Sequence, residues 1–132
     1  PYISQQQVFS GARAIITARG LMPGLSSIAA NANSIEPKRA AIADFLGRLQ
    51  KARAWVQANK ETYADLWAKK ANLDQAVSRH WIGQADMSVG PVDPQAARDY
   101  QGTADFLVQT GALPKAFDTQ SVIDTSFGNA FH

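Results

Sequence analysis

Cysteine is absent from the 132 residues. Its absence excludes disulfides, thiolate metal sites and a cysteine nucleophile within this chain, and is compatible with either cytoplasm or periplasm. Histidine occurs only at His80 and His132, and neither has a second ligand at metal-binding spacing. No apolar run approaches the ~20 residues that a membrane-spanning helix needs. Charge of one sign is also missing: 13 Lys and Arg face 11 Asp and Glu, a formal net charge of +2. The cations (Arg13, Arg39, Lys51, Arg53, Lys69, Lys70, Arg79, Arg98) are scattered and diluted by nearby carboxylates. That is a solvated mixed-charge surface, not a nucleic-acid footprint. The dinucleotide and P-loop glycine patterns, the zinc-protease HExxH and the GxSxG elbow are all lacking. Nothing in the chain reads as catalytic, and nothing calls for a metal or cofactor.

What remains is ordinary globular material, 45% apolar and 18% charged. A chain of this length is about one domain and can bury roughly two thirds of its unfolded surface. Most of the large apolar side chains and all three tryptophans lie between Ser34 and Trp81. Ile42, Phe45, Leu46, Leu49, Ala52 and Val56 share one face of a helix that opens near Pro37 and stops at Asn59. A second helix carries Tyr63, Leu66 and Trp67 on one side and ends at Ala71-Asn72-Leu73. Asp74 is the N-cap of a third, with Val77 and Trp81 one turn apart. Asp44 and Arg48 suit an i,i+4 ion pair. Trp55, Trp67 and Trp81 are unequally spaced, and no repeat period is present.

The flanks read differently. Residues 1–10 are a helix or an ordered tail. Ala12–Ala18 is a short apolar run with a β-branched centre, which predicts a buried strand, and Leu25–Ala30 is a second strand candidate. Gly20–Gly24 between them is a turn. Asp86–Val92 is extended. Asp93-Pro94 starts a fourth long helix carrying Ala97, Tyr100, Ala104, Phe106, Leu107 and Val108, closed by Gly111 as its C′ residue. A short helical turn follows through Val122 and Ile123, and the tail Thr125–His132 is expected to be partly unordered. The fold class expected is α/β, mostly helical with two or three short strands. The chain opens at Pro1-Tyr2-Ile3 without methionine or signal peptide, which reads as the interior of a longer protein.

The order of these motifs resembles one family. The elements are Phe45-Leu46, Leu49, Lys51-Ala52 and Ala54-Trp55-Val56, then Ala58-Asn59-Lys60-Glu61-Thr62-Tyr63-Ala64 and Ala68-Lys69-Lys70-Ala71-Asn72-Leu73-Asp74. Val89-Gly90-Pro91-Val92-Asp93, Gln101, Ala104-Asp105-Phe106-Leu107, Gly111-Ala112-Leu113-Pro114-Lys115 and Asp118 follow. Together with Pro1-Tyr2-Ile3 and Gly11-Ala12-Arg13-Ala14-Ile15-Ile16, they resemble the periplasmic binding proteins for aliphatic sulfonates. These are grouped with the taurine, nitrate and thiamine-pyrimidine binders of ABC importers. The resemblance covers almost the whole chain and corresponds to the C-terminal two fifths or so of such a protein. It implies a two-lobed binding-protein fold that closes on its ligand by hinge motion. Residues 1–30 would be the end of the second lobe and a hinge-crossing strand, and residues 31–132 the helical C-terminal part of the first lobe.

What the resemblance implies for function is a solute-binding component, not an enzyme. It would capture a small sulfonate-like anion and deliver it to a membrane permease, in the periplasm or held at the cell surface by a lipid. Anion binding uses hydroxyls, amides and backbone N–H groups, and Ser26, Ser27 and Asn31 at the hinge segment are the candidate ligand-binding residues. The ordinary alternatives are strand-end serines and, for Asn31 and Asn33, turn residues. The hinge segment Leu25–Asn33 lacks the aromatic residues this family often carries there, which leaves the ligand open. Arg13 could meet a sulfonate or make a surface ion pair. His80 and the tryptophans could touch a ligand or serve the core. Two other classes stand beside this reading. One is an enzyme on the same scaffold, desulfinase-like or pyrimidine-synthase-like, needing a cleft cysteine from elsewhere or His80. The other is a free-standing helical interaction module, whose unpaired strands would favour an exchanged dimer if the chain is isolated.

Overall fold

A computed structural model describes every residue except Arg19, Met22 and His132. All regular elements among the described residues are helical. Tyr2–Ser10 forms α1, ended by Gly11 at φ 63°, a left-handed cap that glycine adopts without steric cost. Ala32–Ile35 is a single turn, α2. The long helix α3 runs Arg39–Ala58, α4 Lys60–Ala71, α5 Gln75–Gln84 and α6 Pro94–Gln109. Two 3-10 turns, Thr119–Val122 and Gly128–Ala130, follow. The chain divides into two compact units, Pro1–Thr17 with Leu49–Val89, and Ala18–Arg48 with Gly90–His132.

The helix boundaries follow local chemistry. Asn59 closes α3 by donating its side-chain amide to the Trp55 carbonyl at 2.8 Å, and stands as N-cap of α4. Asn72 ends α4 in the left-handed region, φ 51°. The Asp74 carboxylate accepts from the Ala76 and Val77 amides at 2.8 and 3.3 Å. Asp93 does the same for Ala96 at 2.7 Å, with Pro94 at the first helical position. Gly111 follows α6 at φ 76°.

In the first unit α4 and α5 form a close pair, and α1 packs against α5. The contact sets the small Ala64, Ala68 and Ser78 beside Val77 and Ile82, and all five are buried. The Ser78 hydroxyl donates to the Ala64 carbonyl at 2.7 Å, so the buried polar atom is satisfied. At the edge, Tyr63 stacks on Trp67 with centroids 6.2 Å apart, and Trp81 meets Trp67 at a 55° tilt with centroids 6.0 Å apart. Lys60 donates to the Ala85 carbonyl at 2.8 Å, at the C-terminal end of α5 where a cation suits the helix dipole.

The helix faces differ from those expected. On α3 the buried residues are Leu46 and Val56, while Phe45 and Trp55 lie exposed. On α4, Leu66 is 52% exposed, because alanines allow the closer helix approach and turn the larger side chain outward. On α6 Ala104 is buried and Phe106 is exposed.

The expected strands are corrected: among the described residues there is none, and the chain is mostly helical. Residues 12–18 and 25–30 run without regular hydrogen bonding. Ile15 is 95% and Ile16 80% exposed. A strand is stable only within a ladder that takes its backbone donors and acceptors, and among the described residues neither segment lies in a ladder. Thr17 does make an interaction with its surroundings.

In the second unit the tail is held where a frayed end was expected. Arg39 donates to the Ser126 hydroxyl at 2.8 Å and its guanidinium lies 4.8 Å from the centre of the Phe127 ring. The Ala130 carbonyl stands 3.1 Å from where a Cβ on Gly47 would project, so glycine permits the approach. His132 lies outside the described residues.

Candidate functional site

The first half of α6 presents Pro94, Ala97, Arg98 and Gln101 on one face, at the i, i+3, i+4, i+7 spacing that brings helix side chains together. The chain returns over this face through Ala116, Phe117, Asp118 and Gln120, leaving an open hollow of about 680 Å³. Gln101 holds the returning segment. Its amide nitrogen donates to the Phe117 carbonyl at 3.2 Å and to Asp105 at 2.8 Å. Its oxygen accepts from the Thr119 amide and hydroxyl at 2.9 and 3.0 Å. Thr119 is buried beneath this contact. Asp118 caps the following turn by accepting from the Gln120 amide at 2.9 Å.

The hollow's lining is of mixed character. Pro94, Ala97 and Phe117 supply an apolar wall, and Arg98 and Asp118 place one charge of each sign at its rim. Arg98 is tied to Gln95 at 2.6 Å. The lining holds neither a nucleophile with a base beside it nor a histidine. Among the described residues no three His, Asp or Glu side chains converge as a metal site would require.

The residues singled out from sequence lie elsewhere. Ser26 and Ser27 are exposed in the irregular segment 25–31. Asn31 is also exposed, and its side chain accepts from the Asn33 amide at 2.9 Å as the N-cap of α2. None of the three lines the hollow. Arg13 is exposed. His80 sits on α5 with Nε2 3.0 Å from the Gln84 side-chain nitrogen, while its buried Nδ1 has no hydrogen-bond partner among the described residues. An amide flip of Gln84 would set an oxygen against Nε2–H and leave Nδ1 as a bare acceptor, the less costly arrangement.

Of the residues at and behind the hollow, Gln101 and Asp118 entered the sequence reading only as motif members, and Thr119, buried behind the lining, not at all. The short helical turn after Asp118 was legible, but the capping role of Asp118 was not read from it. The long reach from Gln101 to Thr119 was not legible, because nothing local encodes it.

Electrostatic perturbation is concentrated away from the hollow. In the first unit Arg79 grips Asp65 with two nitrogens, at 2.8 and 2.9 Å, joining α5 to α4. That charge-assisted fork, helped by Gln75, holds the Asp65 carboxyl down at about 2. Hydrogen bonds from Ser88 lower Asp86, and the Arg39 guanidinium lowers Glu36.

Comparison with known proteins gives one informative likeness. Over 130 residues, 96% of this chain, the sequence is 24% identical to a protein of Bacillus subtilis (strain 168) provisionally named an aliphatic sulfonates-binding protein. The chain spans 39% of that relative's length. No protein-family model and no solved structure matches the chain. Among the described residues no helix is long and apolar enough to cross a membrane.

Proposed function

We propose that this chain is part of the solute-binding component of an ABC importer. It serves capture of a small organosulfonate, alkanesulfonate-like or taurine-like, by cleft closure and its delivery to a membrane permease. The observation that carries this reading is colinear similarity over nearly the whole chain to a relative named for sulfonate binding. The motif order from Phe45 to Asp118 supports it. So does a candidate site whose lining sets an apolar wall beside one charge of each sign. In this reading the chain acts without catalysis. Residues 1–30 belong to the second lobe and the hinge crossing, residues 31–132 to the first lobe. Ser26, Ser27 and Asn31 meet the ligand's oxygens from the hinge side, where exposed hydroxyls and an amide lie within one short segment. The working location is outside the cytoplasmic membrane, in the periplasm or on a lipid anchor.

The test is thermal melting of the natural gene product that carries this chain, against alkanesulfonates, taurine, nitrate, bicarbonate and a thiamine pyrimidine. A ligand at ~100 times its dissociation constant adds about 2.7 kcal/mol to stability, a rise of several degrees. A rise confined to the sulfonates supports the reading, and Ser26→Ala with Ser27→Ala reduces it. A flat response in a cooperatively melting protein refutes it.

A further inference from the structure

The irregular chain that follows α5 is fastened to α3 side chain by side chain. Arg53 and Gln57 stand four residues apart on α3, hence on one face of the helix. Gln57 donates to the Asp86 carboxylate at 2.9 Å, and the same carboxylate accepts from the Ser88 amide at 2.8 Å. Beside them Arg53 donates through Nη1 to the Met87 sulfur at 3.0 Å, in partly buried surroundings. Lys60 secures the start of the segment at the Ala85 carbonyl, 2.8 Å away. All of these residues belong to the first unit. One link in the set joins unequal partners. A guanidinium is a permanently charged, strong donor, whereas a thioether sulfur is a weak acceptor.

We propose that Met87 is a site of reversible oxidation by a hydroperoxide, and that its sulfoxide locks residues 85–88 onto α3 through Arg53. Met87 is partly exposed, so the oxidant has access. The sulfur lone pair turned away from Arg53 attacks one peroxide oxygen and the O–O bond breaks. The proton of the transferred oxygen passes to the leaving one, which departs as water, or as the alcohol when the peroxide is organic. Sulfur gives up two electrons and the peroxide takes them. Rotation about the Cγ–Sδ bond then brings the new oxygen to the guanidinium, and a charge-assisted hydrogen bond replaces the weak one. Oxidised methionine ordinarily loosens packing, because a polar group replaces an apolar one and costs free energy when it lacks a partner. Here the donor already stands at the sulfur, so the sign is reversed. A methionine sulfoxide reductase restores the thioether. The proposal stands apart from the solute-binding reading and does not depend on it.

The test is peptide-resolved hydrogen exchange on the natural gene product that carries this chain, before and after mild hydrogen peroxide, with mass spectrometry locating the added oxygen. Met87 takes up one oxygen. The Ser88 amide, bonded to Asp86 beside it, then exchanges about fivefold more slowly, the difference between a weak and a charge-assisted hydrogen bond. In Arg53→Ala the same oxidation speeds exchange, since the sulfoxide oxygen has lost its donor. Each variant is compared with its own reduced form, so any general loss of stability in Arg53→Ala cancels. A second pair needs no oxidant. Met87→Gln places a carbonyl oxygen near the sulfur's position and slows the exchange relative to Met87→Leu, and Arg53→Ala removes that difference. Three results overturn the proposal: Met87 unoxidised in the folded protein, exchange after oxidation as fast as before or faster, or the same response in Arg53→Ala as in the parent.

Discussion

Replacing Ile82 by alanine tests the central packing of the first unit. Ile82 on α5 is fully buried, at 0% exposure, in the contact that α5 makes with its neighbours. Truncation removes three carbons from a site lined by close-packed helices, where backbone hydrogen bonding resists collapse of the space. Large-to-small changes of this kind cost about 2–5 kcal/mol, the lost transfer energy plus a cavity term. For a chain of this size the melting temperature then falls by roughly 10 °C. The informative comparison is Leu66→Ala on α4. The spacing of apolar residues places Leu66 on the buried side, whereas the structure leaves it half in water. Removing a side chain already in solvent costs under about 0.5 kcal/mol, as for most surface changes. Thermal and urea unfolding followed by circular dichroism measure both variants. If Leu66→Ala destabilises as much as Ile82→Ala, α4 is rotated from the orientation described and the reasoning fails.

Two further outcomes follow from the second unit's staple and the first unit's ion pair. Gln101→Ala removes the donor and acceptor that tie residues 117–119 to α6. The Thr119 amide should then exchange with solvent faster by about tenfold, equivalent to roughly 1.4 kcal/mol of lost local protection, while Gln120→Ala leaves it unchanged. Hydrogen exchange by mass spectrometry decides, and equal protection in both variants would refute the network's role. Asp65 has a folded-state value near 2, below its ordinary 3.8, because Arg79 and Gln75 bind the ionised form. Its contribution to stability is therefore present above about pH 4 and is lost as pH falls through about 2. The stability difference between the parent and Asp65→Asn should shrink over that interval in acid titrations of melting temperature, and a constant difference would contradict the assignment.

The helices were legible because their signals are local. Asp74, Asp93-Pro94, Asn72 and Gly111 each act within one turn of their own position, through caps whose geometry any helix end imposes. The faces were read less well. Apolar spacing marks Phe45, Leu66 and Phe106 as inward, yet all three lie exposed. Period alone counts hydrophobicity and ignores size, and the helix contact selected Ala64, Ala68 and Ser78 because small residues let backbones approach. A serine at 0% exposure is legible only once its acceptor, the Ala64 carbonyl, is known.

The strands and the site fail for a shared physical reason. A helix closes its own hydrogen bonds, but a strand borrows them from another segment, so β-propensity states what a sequence can join and not what it is joined to. Ala12–Ala18 keeps its strand composition while standing as irregular, solvated chain. Ser26 and Ser27 depend on that same missing context. Hydroxyls become an oxyanion site only when a fixed backbone aims several of them at one point, and these two lie on a segment without regular hydrogen bonds. By contrast Gln101 needs no outside partner, since α6 and the returning segment supply both sides of its contacts.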